Sequence, residues 1–308
     1  KRSPHPNETI THKMIDAAPA TSNRPSAPMI GASAVLVSLV AQNVGAAFAK
    51  HLFPLVGAYG TTGLRIALAA LLLFALRRPW RRRPSRAMLS ALIAYGAMLG
   101  SMNLLIYQAF ARLPIGIATG IEVLGPLMVV LCGSRSRRDI VWFVAAVIGL
   151  VLLLPLRSGA ALDPIGLVFA GGAATCWALY IVYGKRVSGA LGGDAVAWGM
   201  IVAAAISVPI GAATAGSALL APLVLAVGFA VAILSSALPY SLEMEAMRRL
   251  PSHVFGILLS AAPAVAALAG FVVLGEVLTP LQWFAILLIM AASSGSAVSA
   301  TKQPALTI

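Results

Sequence analysis

Charge is scarce in this chain. Only 10% of its 308 residues are Asp, Glu, Lys or Arg, and nine of those are acidic. Soluble domains carry roughly a quarter, so a water-facing surface for a fold of this length is excluded. Cysteine is almost absent: Cys132 and Cys176 both sit inside apolar runs, which excludes a disulfide framework and leaves them reading as small core residues. The four histidines, His5, His12, His51 and His253, are scattered over the amino-terminal stretch and the ends of apolar runs. Neither a His-Glu-x-x-His site nor a Walker loop occurs. No metal, nucleotide or other cofactor is expected, and no enzymatic constellation of the Ser/His or paired-Asp kind is present.

Apolar residues are what the chain has instead. They make up 60% of it, with mean hydropathy +0.93. Runs of spanning length fall at about 29–49, 54–76, 88–110, 115–134, 139–156, 164–184, 194–214, 221–243, 252–275 and 279–298, each bounded by charge, Pro or Gly. They are continuous and lack the two-residue alternation of a barrel strand. The expected class is an all-α membrane protein with ten transmembrane helices. Residues 1–27, rich in Pro, Ser, Thr and Asn, read as a disordered cytoplasmic tail, and 301–308 as a second short tail. Ala47-Phe48-Ala49 looks like a signal-peptidase site, but the run before it is too long for an ordinary signal core, so it reads as a retained helix.

The net charge of +13 invites a nucleic-acid reading, which its distribution opposes. Lys and Arg occur in short clusters at every second connection: Lys1, Arg2, Lys13 and Arg24; Arg77 to Arg86; Arg135 to Arg138; Lys185 and Arg186; Arg248 and Arg249; and Lys302. The alternate connections hold only Lys50, Arg112 and Arg157. Such a bias puts both termini in the cytoplasm and supports the helix count.

Two stretches resemble each other, ARLPIGIATGIEVLGPL at 111–127 and RRLPSHVFGILLSAAPA at 248–264. Each has Arg-Leu-Pro followed twelve residues later by proline, Pro126 and Pro263, at an offset of 137. Lys50 with Lys185, and Trp142-Phe143 with Trp283-Phe284, keep nearly that spacing. Two five-helix halves, 28–156 and 157–300, follow. Five being odd, the second enters the membrane in the opposite sense, making two inverted five-helix repeats, the architecture of a secondary transporter with a site near the bilayer midplane.

Within the runs, Glu122 is the residue to explain. A carboxylate at the centre of a membrane helix costs on the order of 2.5–3.5 kcal/mol, so it normally faces protein or water. It reads either as a partner for substrate ammonium or proton, or as a structural hydrogen-bond donor to a neighbouring backbone. Pro126 and Pro263 each remove a helical N–H and free a carbonyl, marking candidate breaks or hinges. Gln42 and Asn43, Asn103 and Tyr107 one turn apart, Trp177 and Tyr180 on one face, and Tyr240 offer amides and an aromatic wall suited to an ammonium group. Each could equally be interhelical glue. Glu243 could face an inner vestibule, Glu245 reads as an interfacial partner of Arg248 or Arg249, and headgroup solvation suffices for Glu276. Arg65 is expected to snorkel toward the outer face. Gly96-x-x-x-Gly100 and Gly116-x-x-x-Gly120 read as close helix packing.

The paired Arg-Leu-Pro connections, KHLFPLVGAYGTTGLRIAL at 50–68, MNLLIYQAFARLPIGIATGIEVLGPL at 102–127, CWALYIVYGKR at 176–186 and the long stretch at 234–282 resemble the drug/metabolite transporter superfamily, with its duplicated EamA domain. The resemblance covers roughly residues 30–300. It implies efflux of small amino acids of the threonine and homoserine kind across the bacterial cytoplasmic membrane by proton antiport; a multidrug exporter of lipophilic cations is the alternative. It also implies a central cavity at Gln42, Asn103, Tyr107, Glu122, Trp177, Tyr180, Tyr240 and Ser260. Glu245 departs from the apolar residue expected there. The expected partners are an amino acid, protons and membrane lipid, with room for a homodimer; nucleic acid is not among them.

Overall fold

A computed structural model describes residues 27–81, 84–133, 137–153, 162–250 and 258–300. The expected amino-terminal tail, apart from Ala27, and the expected carboxy-terminal tail lie outside the described residues, as do Pro251 and His253. Helices run in order α1 Ala27–Lys50, α2 Phe53–Arg77, α3 Arg86–Phe110, α4 Ile115–Glu122, α5 Leu124–Gly133, α6 Arg137–Leu153, α7 Pro164–Leu191, α8 Asp194–Ala215, α9 Pro222–Ala232, α10 Leu238–Arg249, α11 Ala262–Leu274 and α12 Pro280–Ala300. A π-helical turn, Ile233–Ala237, joins α9 to α10. No strand occurs among the described residues.

Six stretches are long and apolar enough to cross a membrane: Met29–Lys50, Phe53–Arg77, Arg86–Phe110, Pro164–Leu191, Asp194–Leu220 and Pro222–Glu243. Shorter apolar helices cover Ile115–Val129, Ile140–Leu152, Ala262–Leu274 and Pro280–Gly295. The outside of the bundle is apolar, with Leu71, Val168, Val272 and Val277 between 68% and 79% exposed, whereas Arg65 is 2% exposed. That inversion of the soluble pattern suits a lipid surround.

The helices pack in a closed set of pairs: α2 with α8, α3 with α7 and α8, α1 with α10 and α11, α4 with α11, and α6 with α12. Small residues set the closest approaches. A Cβ added at Gly96 would lie 2.7 Å from the Gly199 carbonyl oxygen, and one at Gly63 would lie 2.8 Å from that of Ser207. A Cβ at Gly116 would lie 2.6 Å from that of Ala267, so the glycine spacing read as packing does serve packing.

Several local expectations change. The run at 115–134 is two helices, broken at Val123, three residues before Pro126. Pro126 lacks the N–H that would bond the Glu122 carbonyl, so the turn before it loosens. Pro263 stands second in α11, behind a turn at Ser260 and Ala261. Cys132 is exposed on α5 rather than in the core, and Cys176 is half-buried.

Glu276 does more than meet headgroups. Gly275, at φ 68°, turns the chain at the end of α11, and the Glu276 side chain folds back over Gly270, where any Cβ would collide with it. Its Oε1 then pairs with Lys50 Nζ at 2.6 Å, and its Oε2 accepts the Ile115 N–H at 2.9 Å. One carboxylate so ties the end of α1, the start of α4 and the end of α11. The opening N–H of α4 is satisfied where a negative charge is favoured.

Candidate functional site

The π-helical turn builds the site. Pro239 has no N–H to offer the Ser235 carbonyl four residues back, and the Leu238 N–H reaches instead to Ile233. The stranded carbonyl needs a donor inside the bundle. Arg65, at the middle of α2, supplies it: Nη1 donates to Ser235 O at 3.1 Å, to Ser235 Oγ at 3.3 Å and to Ser236 Oγ at 2.6 Å. Nη2 donates to Asn103 Oδ1, and the guanidinium carbon lies 4.4 Å from the centre of the Tyr107 ring. The expectation that Arg65 snorkels outward is therefore wrong. Its hydrogen-bond partners lie inward, so its stem has no reason to reach the interface.

Around this arginine lies a cavity of about 80 Å³. One water needs roughly 10–15 Å³ on the same measure, so the space suits a small organic molecule. From the sequence candidates, Gln42, Asn103, Tyr107, Glu122, Trp177, Tyr180 and Tyr240 line it. Ser260 is not among its lining residues; its hydroxyl shares a 2.6 Å hydrogen bond with Ser294 of α12. Neither Pro126 nor Pro263 lines the cavity, although Glu122, Leu259 and Ala262, beside the breaks they mark, all do.

Five further polar residues line the space: Asn43, Arg65, Thr119, Ser235 and Glu243. Glu243 accepts a hydrogen bond from Ser38 Oγ at 2.9 Å, which holds it against α1. Glu245, two residues on, pairs with Arg249 at the surface, Oε1 receiving Nε at 2.7 Å. The signal that could have found Arg65 is its place in the run, equidistant from both ends of α2. Thr119 and Ser235 carry no such signal, because short hydroxyl side chains are common in membrane helices.

Partners within the cavity are unevenly distributed. Asn103 is fully engaged, donating to Leu99 O at 2.7 Å and to the Tyr240 hydroxyl at 3.3 Å. Tyr180 stacks on Tyr95 with ring centres 4.9 Å apart. Glu122 has no hydrogen bond or ion pair to another described residue. The structural reading, in which it donates to a neighbouring backbone, thus has no partner here. Arg65 Nε, the Tyr107 hydroxyl and Thr119 Oγ1 are buried without hydrogen bonds. Among the described residues, no group of His, Cys, Asp and Glu could hold a metal.

An apolar helical bundle closed around a cavity that holds a carboxylate and a guanidinium has the form of a membrane transporter, and sequence comparison gives the family. Residues 164–297 match the EamA-like transporter family, and the chain belongs to it. It is 48% identical over 270 residues to the threonine/homoserine exporter RhtA of Escherichia coli (strain K12), covering 87% of this chain and 92% of the exporter. It is 47% identical over 274 residues to RhtA of Salmonella typhimurium (strain LT2), covering 88% and 93% respectively. A crystal structure with 21% sequence identity matches with a TM-score of 0.61, covering 88% of this chain and 98% of the other, which supports the fold.

Proposed function

We propose that this chain exports threonine, homoserine or similarly small amino acids across the bacterial cytoplasmic membrane, by alternating access coupled to proton entry. The observation that carries the reading is the cavity itself, in a chain nearly half identical to threonine/homoserine exporters over most of its length: its Glu122 carboxylate lines the space with no hydrogen bond or contact ion pair to a described residue. Such a group has two natural companions, a substrate ammonium and a proton, and antiport follows when they compete for it. From the cytoplasmic side an amino acid would enter against Glu122. After the halves rock, a proton from outside would displace it and neutralise the carboxylate for the return.

The finer architecture belongs to the same proposal: ten spans in two inverted five-helix halves, 28–156 and 157–300, with both termini cytoplasmic. Helix pairing supports it. With each half counted as five spans, α3 on α7 has its image in α1 on α10, and α2 on α8, α4 on α11 and α6 on α12 each pair an element with its own image. Residue contacts follow suit. Gly31 meets Arg249 and Leu250, while Gly166 meets Arg112 and Leu113, the corresponding residues of the repeated Arg-Leu-Pro motif. Asn103 and Tyr240, in hydrogen-bond contact, are 137 residues apart. Four shorter apolar helices complete the count if they span by lying between longer neighbours.

The aromatic lining of Trp177, Tyr180 and Tyr240 would also suit a lipophilic cation. Arg65 in the same cavity repels one. Counterflow in proteoliposomes decides between the two: labelled threonine, homoserine and a panel of other amino acids and organic cations, with and without an imposed pH gradient. Gradient-stimulated flux of a small amino acid is expected. Flux of organic cations alone would replace the proposal with the multidrug reading.

A further inference from the structure

We propose that Arg65 is the carboxylate-binding residue of the cavity, which makes the preferred cargo an α-amino acid held at both ends: ammonium on Glu122, carboxylate on Arg65. The ammonium half rests on the proposed function; the carboxylate half does not. Three observations carry it. Arg65 is 2% exposed, yet no carboxylate of a described residue lies within 4.0 Å of its guanidinium. Its protein partners are neutral oxygens, one carbonyl, two hydroxyls and one amide. Glu122 lines the same cavity and feels the Arg65 charge across it, but no acid touches the guanidinium, and a buried cation without a contacting counter-ion is costly.

The second observation is the unused donor. Nε is buried with no acceptor, while both terminal nitrogens are occupied. The third is that two more buried polar atoms without partners, the Tyr107 and Thr119 hydroxyls, belong to residues lining the same cavity. The Tyr107 ring lies against the guanidinium, 4.4 Å from its carbon, and holds that group beside the cavity. A carboxylate brought by the cargo would give Nε its acceptor and the guanidinium a contacting anion, and a side-chain hydroxyl on the cargo could bond Thr119 or Tyr107. A structural role for Arg65, bracing the Ser235 carbonyl, accounts for its terminal nitrogens but not for Nε.

Binding to the purified full chain in detergent tests this with two halves of a cargo. The probe 3-hydroxybutyrate keeps the carboxylate and hydroxyl of threonine without its ammonium; 1-amino-2-propanol keeps the ammonium and hydroxyl without the carboxylate. Wild type is expected to bind both. Arg65→Gln, eluting as wild type in gel filtration, is expected to bind hydroxybutyrate at least tenfold more weakly and the amine within threefold of wild type. Equal loss of both probes, or unchanged hydroxybutyrate binding, would overturn the assignment and leave Arg65 a brace. Should the variant not fold, wild type alone decides, since failure to bind hydroxybutyrate also overturns it. Arg65-dependent hydroxybutyrate binding without any amino-acid flux would keep this site and reject the transport reading; flux without such binding would do the reverse.

Discussion

The two walls of the cavity differ in chemistry more than in position. Residues 28–156 contribute the amides of Gln42, Asn43 and Asn103, the Tyr107 ring, the cation Arg65 and the anion Glu122; residues 157–300 contribute Trp177, Tyr180, Tyr240, Ser235 and Glu243, but no cation. At matching positions 137 apart, Asn103 faces Tyr240 and bonds to it at 3.3 Å, and Glu122 corresponds to Leu259, both lining the space. A cavity with a true two-fold axis would present the same groups twice and could not tell one end of a zwitterion from the other. On the proposed repeat, the frame supplies places and divergence between the two halves supplies direction.

Glu122 and Leu259 give the sharpest way to break that comparison. Glu122→Gln keeps the shape and removes the charge, and loss of one partner from a buried ionic contact costs roughly 3–5 kcal/mol. Gradient-driven amino-acid flux in proteoliposomes is expected to fall by about 100-fold or more. Leu259→Met, a volume-conserving change at the matching place, should leave flux within about threefold. Equal effects at the two positions would mean that the walls share the work.

Asn103 and Tyr240 sharpen it at the next scale. Asn103→Ala strands Arg65 Nη2 and the Tyr240 hydroxyl together, and unsatisfied buried polar groups cost about 1–3 kcal/mol. Tyr240→Phe removes one long hydrogen bond, for about 1 kcal/mol or less. Denaturant unfolding in detergent should rank the two in that order. A double mutant less destabilised than the sum is expected, because the residues are in contact.

Much of this arrangement was legible in residue spacing. The apolar runs anticipated the helices because a membrane leaves the backbone few other choices. Seven of the eight residues that the resemblance implied reach one cavity, and for Asn103 with Tyr107 and Trp177 with Tyr180 helical phase along one helix already puts the pair on one face. Ser260 was expected from the family resemblance and not from spacing; it sits in the turn before α11 and bonds Ser294 instead of lining the cavity. For Arg65, its mid-run place on α2 was legible, but its role was not. Its partners are the Ser235 carbonyl and hydroxyl, the Ser236 hydroxyl and Asn103, groups stranded or turned inward by a π-helical turn 170 residues away, which no local pattern on α2 announces. Glu276 likewise looked interfacial from its neighbours in sequence, and only the fold brings Lys50 and the Ile115 N–H to it.

The smallest effects compare ion pairs at two places in the bundle. Lys50 and Glu276 have side chains 21% and 16% exposed, against 34% and 39% for Arg249 and Glu245. Glu276 also accepts a backbone N–H at the start of a helix, whereas Glu245 and Arg249 are an i,i+4 pair on one helix. Glu276→Gln is therefore expected to lower unfolding stability by about 1 kcal/mol, the worth of a helix-end charge with its hydrogen bond. Glu245→Gln should change it by no more than about 0.5 kcal/mol, as solvent and salt screen an exposed pair. The test is the salt dependence of both variants: raising ionic strength should erase whatever Glu245 contributes and leave most of the Glu276 difference standing. If salt erased both alike, the tie joining α1, α4 and α11 would be as wet as the surface pair, and the bundle would be open at that end.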